Sequence, residues 1–370
     1  MMAAKSALLA LIFLFLIAVT LSGCVSHGQG WTLIINGDSN KTIDGALYGT
    51  LKNDSETIDG ATGIPLEIFL YYYGVFPVTS VSYDGATYDW ETVAYNADKD
   101  IPMLVEPDGS LYYSGKTARV TDINVTVAEK PNVSTLDIEP SVLYALGAGG
   151  REDLIDNKTD KVVLFYVDAM GYQRYMDALQ KGLVDNMSAL GEPIKAVCVY
   201  PSVSQTNAKA MATGLAPDLV RGDFRSYLPY NDTMLDILDK KGMRAVWVDG
   251  DTAPVKLNDT VYNLDTNKDG SEDDEVADSA IQQYQMGANL TIVHFSDTDI
   301  QMHLHGPDSP EAQGALKMAD SLIGKIVKNL DNGTVVIVYA DHGCHMIITG
   351  GNHGTLLPDD MYIPIIIGRV

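Results

Sequence analysis

The chain has 370 residues, a formal net charge of −24 and 46% hydrophobic residues. A surface this acidic repels nucleic-acid backbones and anionic membranes, which excludes polyanion binding and leaves an anionic substrate reliant on metal ions for local attraction. Its three cysteines are too few for a disulfide framework in a chain this long.

The chain begins Met1-Met2-Ala3-Ala4-Lys5, runs almost wholly apolar from Ala7 to Val19 and reaches Leu21-Ser22-Gly23-Cys24. A charged start, an apolar stretch and small residues describe a secretory signal. The stretch is shorter than the about 20 apolar residues of a membrane-crossing helix. Cys24 directly after Leu-Ser-Gly resembles a lipobox. Residues 1–23 are therefore expected to be a lipoprotein signal, with the mature protein held at the membrane by a lipid on Cys24. Ordinary cleavage near Gly23 and an uncleaved anchor are the alternatives. Asn-x-Ser/Thr sites begin at Asn40, Asn53, Asn124, Asn132, Asn157, Asn186, Asn231, Asn258, Asn289 and Asn332. That density suits an exported, glycosylated surface, so an extracytoplasmic location is expected.

Residues 24–128 read as a small β-rich domain. Strand-like runs at Trp31–Ile35, Ile68–Tyr73, Val78–Tyr83 and Thr121–Val127 are separated by Gly, Asp and Asn turns. No metal-ligand cluster, nucleophile motif or phosphate loop occurs there, which favours a binding or spacer module. A connector with one helix-like piece, Pro140–Leu146, leads to a different pattern from Lys161 onward. Strands are expected at Val162–Val167, Ala196–Tyr200, Ala245–Val248, Thr291–Phe295, Thr334–Tyr339 and Ile363–Ile367. Helices are expected between them at Tyr172–Asn186, Met234–Lys241, Val276–Met286 and Glu311–Leu330. This alternation predicts an α/β domain over 129–370 with a largely parallel sheet. Ligands of such sheets gather at the carboxyl ends of strands. Cys198 and Cys344 are expected as buried free thiols rather than a bridge.

Four segments carry chemistry. The apolar run Val162–Val167 delivers Asp168, a carboxylate that could face a metal or cap a helix. Tyr200-Pro201-Ser202-Val203-Ser204-Gln205-Thr206-Asn207 leads on to Thr213-Gly214. Thr291–Phe295 leads to Asp299 and His303, followed by Gly306-Pro307, with Asp297 and His305 as neighbouring alternatives. Val335–Ala340 delivers Asp341-His342-Gly343, and Gly351-Asn352-His353-Gly354 follows. Three carboxylates, three imidazoles and one hydroxyl are enough to hold two divalent metals around a nucleophile.

In this order the segments resemble the alkaline phosphatase superfamily, especially its type I phosphodiesterase/nucleotide pyrophosphatase branch. There a Thr or Ser opens a helix, Asn follows three residues later and Thr-Gly closes the motif. Ser204, Asn207 and Thr213-Gly214 fit, whereas Thr206 matches neither offset. The Asp, three residues, His, Gly-Pro pattern fits Asp299, His303 and Gly306-Pro307, although Met302 stands where Gly is common. The resemblance implies a three-layer α/β fold over roughly 160–370. It implies one metal held by Asp168, Ser204, Asp341 and His342, and another by Asp299, His303 and His353. Zinc suits such mixed ligands, with manganese and iron also admitted. Ser204 would be the nucleophile and Asn207 a donor to a phosphoryl oxygen of a small phosphate ester.

The resemblance leaves a phosphodiesterase as the leading expectation and a phosphomonoesterase beside it. A sulfatase is disfavoured, because Gln205-Thr206-Asn207-Ala208 lacks the Pro and Arg of the sulfatase signature. A non-catalytic surface-binding protein is the remaining alternative. Leu136–Gly147 looks like a helix that usually follows the last strand of the superfamily, so a circularly permuted closing helix is expected. Asp265, Asn267 and Asp269 resemble the start of a calcium loop, although Val276 stands at its closing position.

Overall fold

Val162–Val167 is buried along its whole length, as a parallel strand covered on both faces must be. In the computed structural model it is the centre of a seven-stranded sheet. The order across is Ile194–Val197, Tyr362–Arg369, Val335–Tyr339, Val162–Val167, Leu290–Phe295, Ala245–Asp249 and Thr260–Tyr262. The central strand pairs in parallel with Leu290–Phe295 and Val335–Tyr339. Only Tyr362–Arg369 runs against its neighbours. The carboxyl ends of the other six therefore open on one edge of the sheet, which is where an α/β sheet receives ligands. The structure describes residues 30–37, 39–96, 99–100, 102–222, 229, 231–251 and 253–370. The signal and Cys24 lie outside the described residues.

Helices complete three layers. Asp185–Ser188, Asp273–Gln285 and Pro310–Val327 pack together on one side, and Ile138–Ala145, Ser204–Thr213 and Met234–Asp239 on the other. Local sequence sets their starts. Ser309 accepts the Ala312 N–H and Pro310 opens the helix Pro310–Val327. Thr233 and Asp236 form a reciprocal capping box before Met234–Asp239. The helix Ile138–Ala145 packs on Ser204–Thr213 and Met234–Asp239, and Tyr172–Gln180 and Pro358–Met361 lie against the C-terminal strand.

The β-rich part holds two five-stranded sheets among the described residues. One runs Lys41–Asp44, Thr32–Asn36, Asp122–Val127, Val78–Tyr83, Ala86–Asp89. The other runs Lys116–Ala118, Leu111–Tyr113, Leu104–Val105, Ala61–Pro65, Glu56–Ile58. The expected strand Ile68–Tyr73 is instead a helix, Leu66–Tyr72. Its residues Leu66 to Leu70 are all buried, and a short run that is apolar on every side carries no periodicity to tell the two apart. One buried apolar cluster runs without a break from Leu33 in this part to Ile366 in the last strand.

Candidate metal centre

Most side chains of the site stand at, or a few residues past, the carboxyl end of a strand. Asp168 follows Val162–Val167, Asp341 and His342 follow Val335–Tyr339, and Ser204 opens a helix after Ile194–Val197. No helix is expected from the sequence across Asp299 and His303, yet Asp297–His305 is helical and sets these two on one face, four residues apart. Backbone shape lets the loops meet. Ala169 and Gly171 have φ of 56° and 51°, and a Cβ on Gly343 would lie 1.9 Å from the Asp359 carbonyl oxygen. A residue with a side chain in Gly343's place would push the Asp341-His342 segment off its neighbour.

Asp299, His303 and His353 form one group, their ligand atoms all within 4.8 Å of one another. His303 Nδ1 donates to the Gly351 carbonyl at 3.0 Å, and His353 Nδ1 donates to the Ser202 carbonyl at 3.0 Å. In neutral rings those bonds fix the tautomers and leave both Nε2 atoms as lone pairs, which face each other at 3.0 Å. The Asp299 oxygens lie 3.4 Å from one Nε2 and 3.5 Å from the other. Asp299 Oδ1 is buried without a hydrogen-bond partner among the described residues. Four acceptor atoms converging with no proton between them fit a divalent cation, and nitrogen with oxygen suits zinc. Burial and the neighbouring His342 lower the pKa of His353 to about 4, so this ring is neutral and ready to ligate at ordinary pH.

The second group is Asp168, Asp299 and His342, again within 4.8 Å. Asp299 thus belongs to both groups. His342 Nδ1 is held by the Gly343 carbonyl at 2.8 Å, turning Nε2 toward Asp168 Oδ1 at 3.4 Å and Asp341 Oδ2 at 3.1 Å. Asp341 backs the group from the buried side, accepting the Tyr166 hydroxyl at 2.7 Å and the Ala169 N–H at 3.2 Å. Ser204 Oγ lies 3.4 Å from Asp168 Oδ1 and 3.2 Å from His342 Nε2. Burial, with Asp341 and Asp299 nearby, pushes Asp168 up to about 8. Burial opposes charging of His342, but the carboxylates of Asp341, Asp168 and Asp299 outweigh it and raise the ring to about 9. Without a cation, protons are what hold these charges together. The rings of His342 and His353 stack at 3.8 Å and join the two groups into one centre.

A buried relay lies behind Asp168. His294 Nε2 is 3.1 Å from Asp168 Oδ2 and its Nδ1 is 2.8 Å from Asp249 Oδ1, while Trp247 Nε1 donates to Asp249 Oδ2 at 2.7 Å. Burial opposes its charge, yet two flanking carboxylates hold His294 well above the ordinary imidazole value. Sequence reasoning passed over His294, Asp249 and Tyr166. Their signal was a His inside, and an Asp at the end of, otherwise apolar strands.

One sequence expectation changes. Asn207 is fully buried. Its Oδ1 accepts the Val199 N–H at 2.8 Å and its Nδ2 donates to the carbonyls of Val199, Pro201 and Val203 at 3.1–3.3 Å. With its amide turned onto the 199–203 loop, Asn207 braces the segment that leads to Ser204 instead of facing the centre. In the acidic loop, Asp265, Asn267 and Asp269 lie on one turn, where no three carboxylate or imidazole atoms converge among the described residues. Asp265 Oδ2 accepts Gly270 N–H at 3.0 Å, Asn267 Oδ1 accepts Asp269 N–H at 2.8 Å and Asp269 Oδ1 accepts Ser271 N–H at 3.1 Å. These bonds shape the turn. Thr206 is buried in its helix, and Cys198 and Cys344 are buried free thiols.

Residues 225–361 match the family model described as type I phosphodiesterase / nucleotide pyrophosphatase. The chain is 28% identical over 168 residues to the catalytic subunit of GPI ethanolamine phosphate transferase 3 of Homo sapiens, covering 42% of this chain and 15% of that protein. It is 28% identical over 175 residues to the phosphopentomutase of Rhizobium johnstonii, covering 47% of this chain and 40% of the relative. A solved structure described as a protein in the alkaline phosphatase superfamily from Vibrio parahaemolyticus aligns with a TM-score of 0.42 at 16% identity, covering 64% of this chain and 68% of that one. The matched residues 225–361 include Asp299, His303, Asp341, His342 and His353.

Proposed function

We propose that this protein is a metal-dependent phosphoric ester hydrolase of phosphodiesterase or nucleotide pyrophosphatase type, with Ser204 as its nucleophile. The observation that carries this reading is the Ser204 hydroxyl at a helix start, 3.4 Å from Asp168 Oδ1 and 3.2 Å from His342 Nε2. Asp299, His303 and His353 would hold one divalent cation, and Asp168, His342 and Asp341 with Ser204 the other. Bound there, the cations would supply Lewis-acid activation of a hydroxyl and neutralisation of phosphoryl charge. Ser204 Oγ forms a bond to phosphorus as the bond to the leaving alcohol breaks, and the serine proton departs with the alcohol. Water then cleaves the phosphoseryl ester and restores the hydroxyl.

The test is turnover of chromogenic phosphate diester, phosphate monoester and sulfate ester by zinc-loaded protein. Diester turnover lost in Ser204→Ala supports the proposal. Monoester preference replaces the substrate class, sulfate turnover replaces the reaction, and no turnover by metal-replete protein favours a surface-binding protein.

A second reading comes from the human relative, whose name is that of a phosphate transferase. The same phosphoseryl ester could pass its group to an alcohol instead of water. An added alcohol that diverts product into a new diester would support transfer.

We also propose that residues 1–23 are a signal removed ahead of a lipidated Cys24, and that residues 24–128 form a β-rich module on an extracytoplasmic hydrolase domain of residues 129–370. No helix among the described residues is long and apolar enough to cross a membrane. Eight of the ten acceptor asparagines are exposed, which suits glycosylation; Asn186 and Asn289 are half-buried and donate Nδ2 to Asp320 and the Asp160 carbonyl. Mass spectrometry of the mature amino terminus and of glycopeptides tests these assignments.

A further inference from the structure

Glu67 is a buried carboxylate in the β-rich part, on the helix Leu66–Tyr72, and it reaches across to the metal centre's loops. Its Oε1 accepts the Trp90 indole N–H at 3.2 Å and the Leu356 backbone N–H at 3.3 Å. Its Oε2 accepts the Tyr200 hydroxyl at 3.0 Å. Tyr200 stands four residues before Ser204, and Leu356 three residues after His353. The two loops are also tied to each other. Ser202 Oγ donates to the Thr355 carbonyl at 2.7 Å, and the Ser202 carbonyl accepts His353 Nδ1 at 3.0 Å. Nearby, the Tyr71 ring packs on Tyr200 at 5.5 Å, and the Val78 N–H donates to the Leu356 carbonyl at 2.8 Å.

We infer that Glu67 is a positioning residue for the metal centre, and that the β-rich part is a working component of the site rather than a spacer. A buried carboxylate is costly unless donors surround it, and two of this carboxylate's donors come from the loops carrying Ser204 and His353. Leaving either donor unpaired in a buried setting carries a penalty, so the two loops are held in one relative position. That position sets where the Ser204 hydroxyl and the His353 ring stand with respect to each other. Control of ligand orientation from outside the ligand set typically changes metal affinity or activity by about 10–100-fold.

The inference rests on the metallohydrolase reading of the centre. Metal-stripped wild type, Glu67→Ala, Glu67→Gln and Tyr200→Phe are titrated with zinc against a chromogenic chelator, and kcat, KM and melting temperature are measured on the same samples. Glu67→Ala is expected to weaken zinc binding and lower kcat by roughly tenfold or more with KM little changed. Glu67→Gln, which keeps one acceptor oxygen, recovers part of both. Trp90→Phe removes only the donor from the β-rich part and lowers melting temperature without moving zinc affinity. If Glu67→Ala does not fold, Glu67→Gln and Tyr200→Phe carry the test. Lower melting temperature with zinc affinity and kcat both kept within about twofold would overturn the inference and leave Glu67 a purely structural group. Zinc affinity that falls in the Glu67 variants of a protein turning over no phosphate ester would uphold the positioning role and overturn the hydrolase reading instead.

Discussion

The Nε2 atoms of His303 and His353 face each other at 3.0 Å, although each ring has already turned its Nδ1 onto a backbone carbonyl. Two lone pairs do not hold one another in place. With the Asp299 carboxylate 3.4 Å and 3.5 Å away, the arrangement fits a divalent cation at its centre. His303→Ala is therefore expected to lower bound zinc from two ions per chain to one and to abolish ester turnover. Elemental analysis of the purified variant checks the stoichiometry, and restoration by excess zinc would speak against a true ligand.

Zinc affinity should depend on pH through the protons it displaces. His342 is raised to about 9 and Asp168 to about 8, so both hold protons at neutral pH in the metal-free protein. Binding releases those protons, and apparent affinity rises with pH until about 9 and then levels off. His353, lowered to about 4, contributes no such release above about pH 5. Calorimetry in two buffers of different ionisation enthalpy reads the proton count. Affinity independent of pH between 6 and 9 would contradict the assignment.

Asp249→Asn keeps the shape of the relay behind Asp168 but removes the charge that holds His294 doubly donating at 2.8 Å and 3.1 Å. Zinc affinity is expected to fall by about 10–100-fold in a folded protein, the usual effect of disturbing a group that orients a ligand. A competition titration measures it. An unchanged affinity would confine Asp249 to packing.

Asn207→Ala removes four hydrogen bonds from a fully buried position and strands the Val199 N–H. The expected cost is about 1–3 kcal/mol for the unpaired backbone group alone, read as a lower midpoint in urea. Turnover should fall as well, through loosening of the Ser204 loop, with KM little changed.

Much of this was legible in the sequence because the central strands are buried on both faces, so that Val162–Val167 and Val335–Tyr339 read as unbroken apolar runs that end in Asp168 and near Asp341. The spacing of Asp299 and His303 carried their pairing even though the helix beneath them gave no apolar period. Ile68–Tyr73 reads as a strand in the sequence because burial on every side erases the difference between helix and strand. Asn207 misled for another reason: motif spacing shows that an amide is present and not which way it turns. Glu67 and His294 were illegible because their partners, Tyr200, Leu356, Asp168 and Asp249, come from distant parts of the chain.

The most direct test of the account is the covalent step at Ser204. Zinc-loaded protein is mixed with a chromogenic phosphate diester, quenched in acid within the first turnover and digested for mass spectrometry. A phosphoryl ester is expected on the peptide containing Ser204, absent from metal-stripped protein and from Ser204→Ala, with turnover of that variant lower by on the order of 10⁴-fold or more. Equal turnover by Ser204→Ala, or an adduct on Thr206, would contradict it.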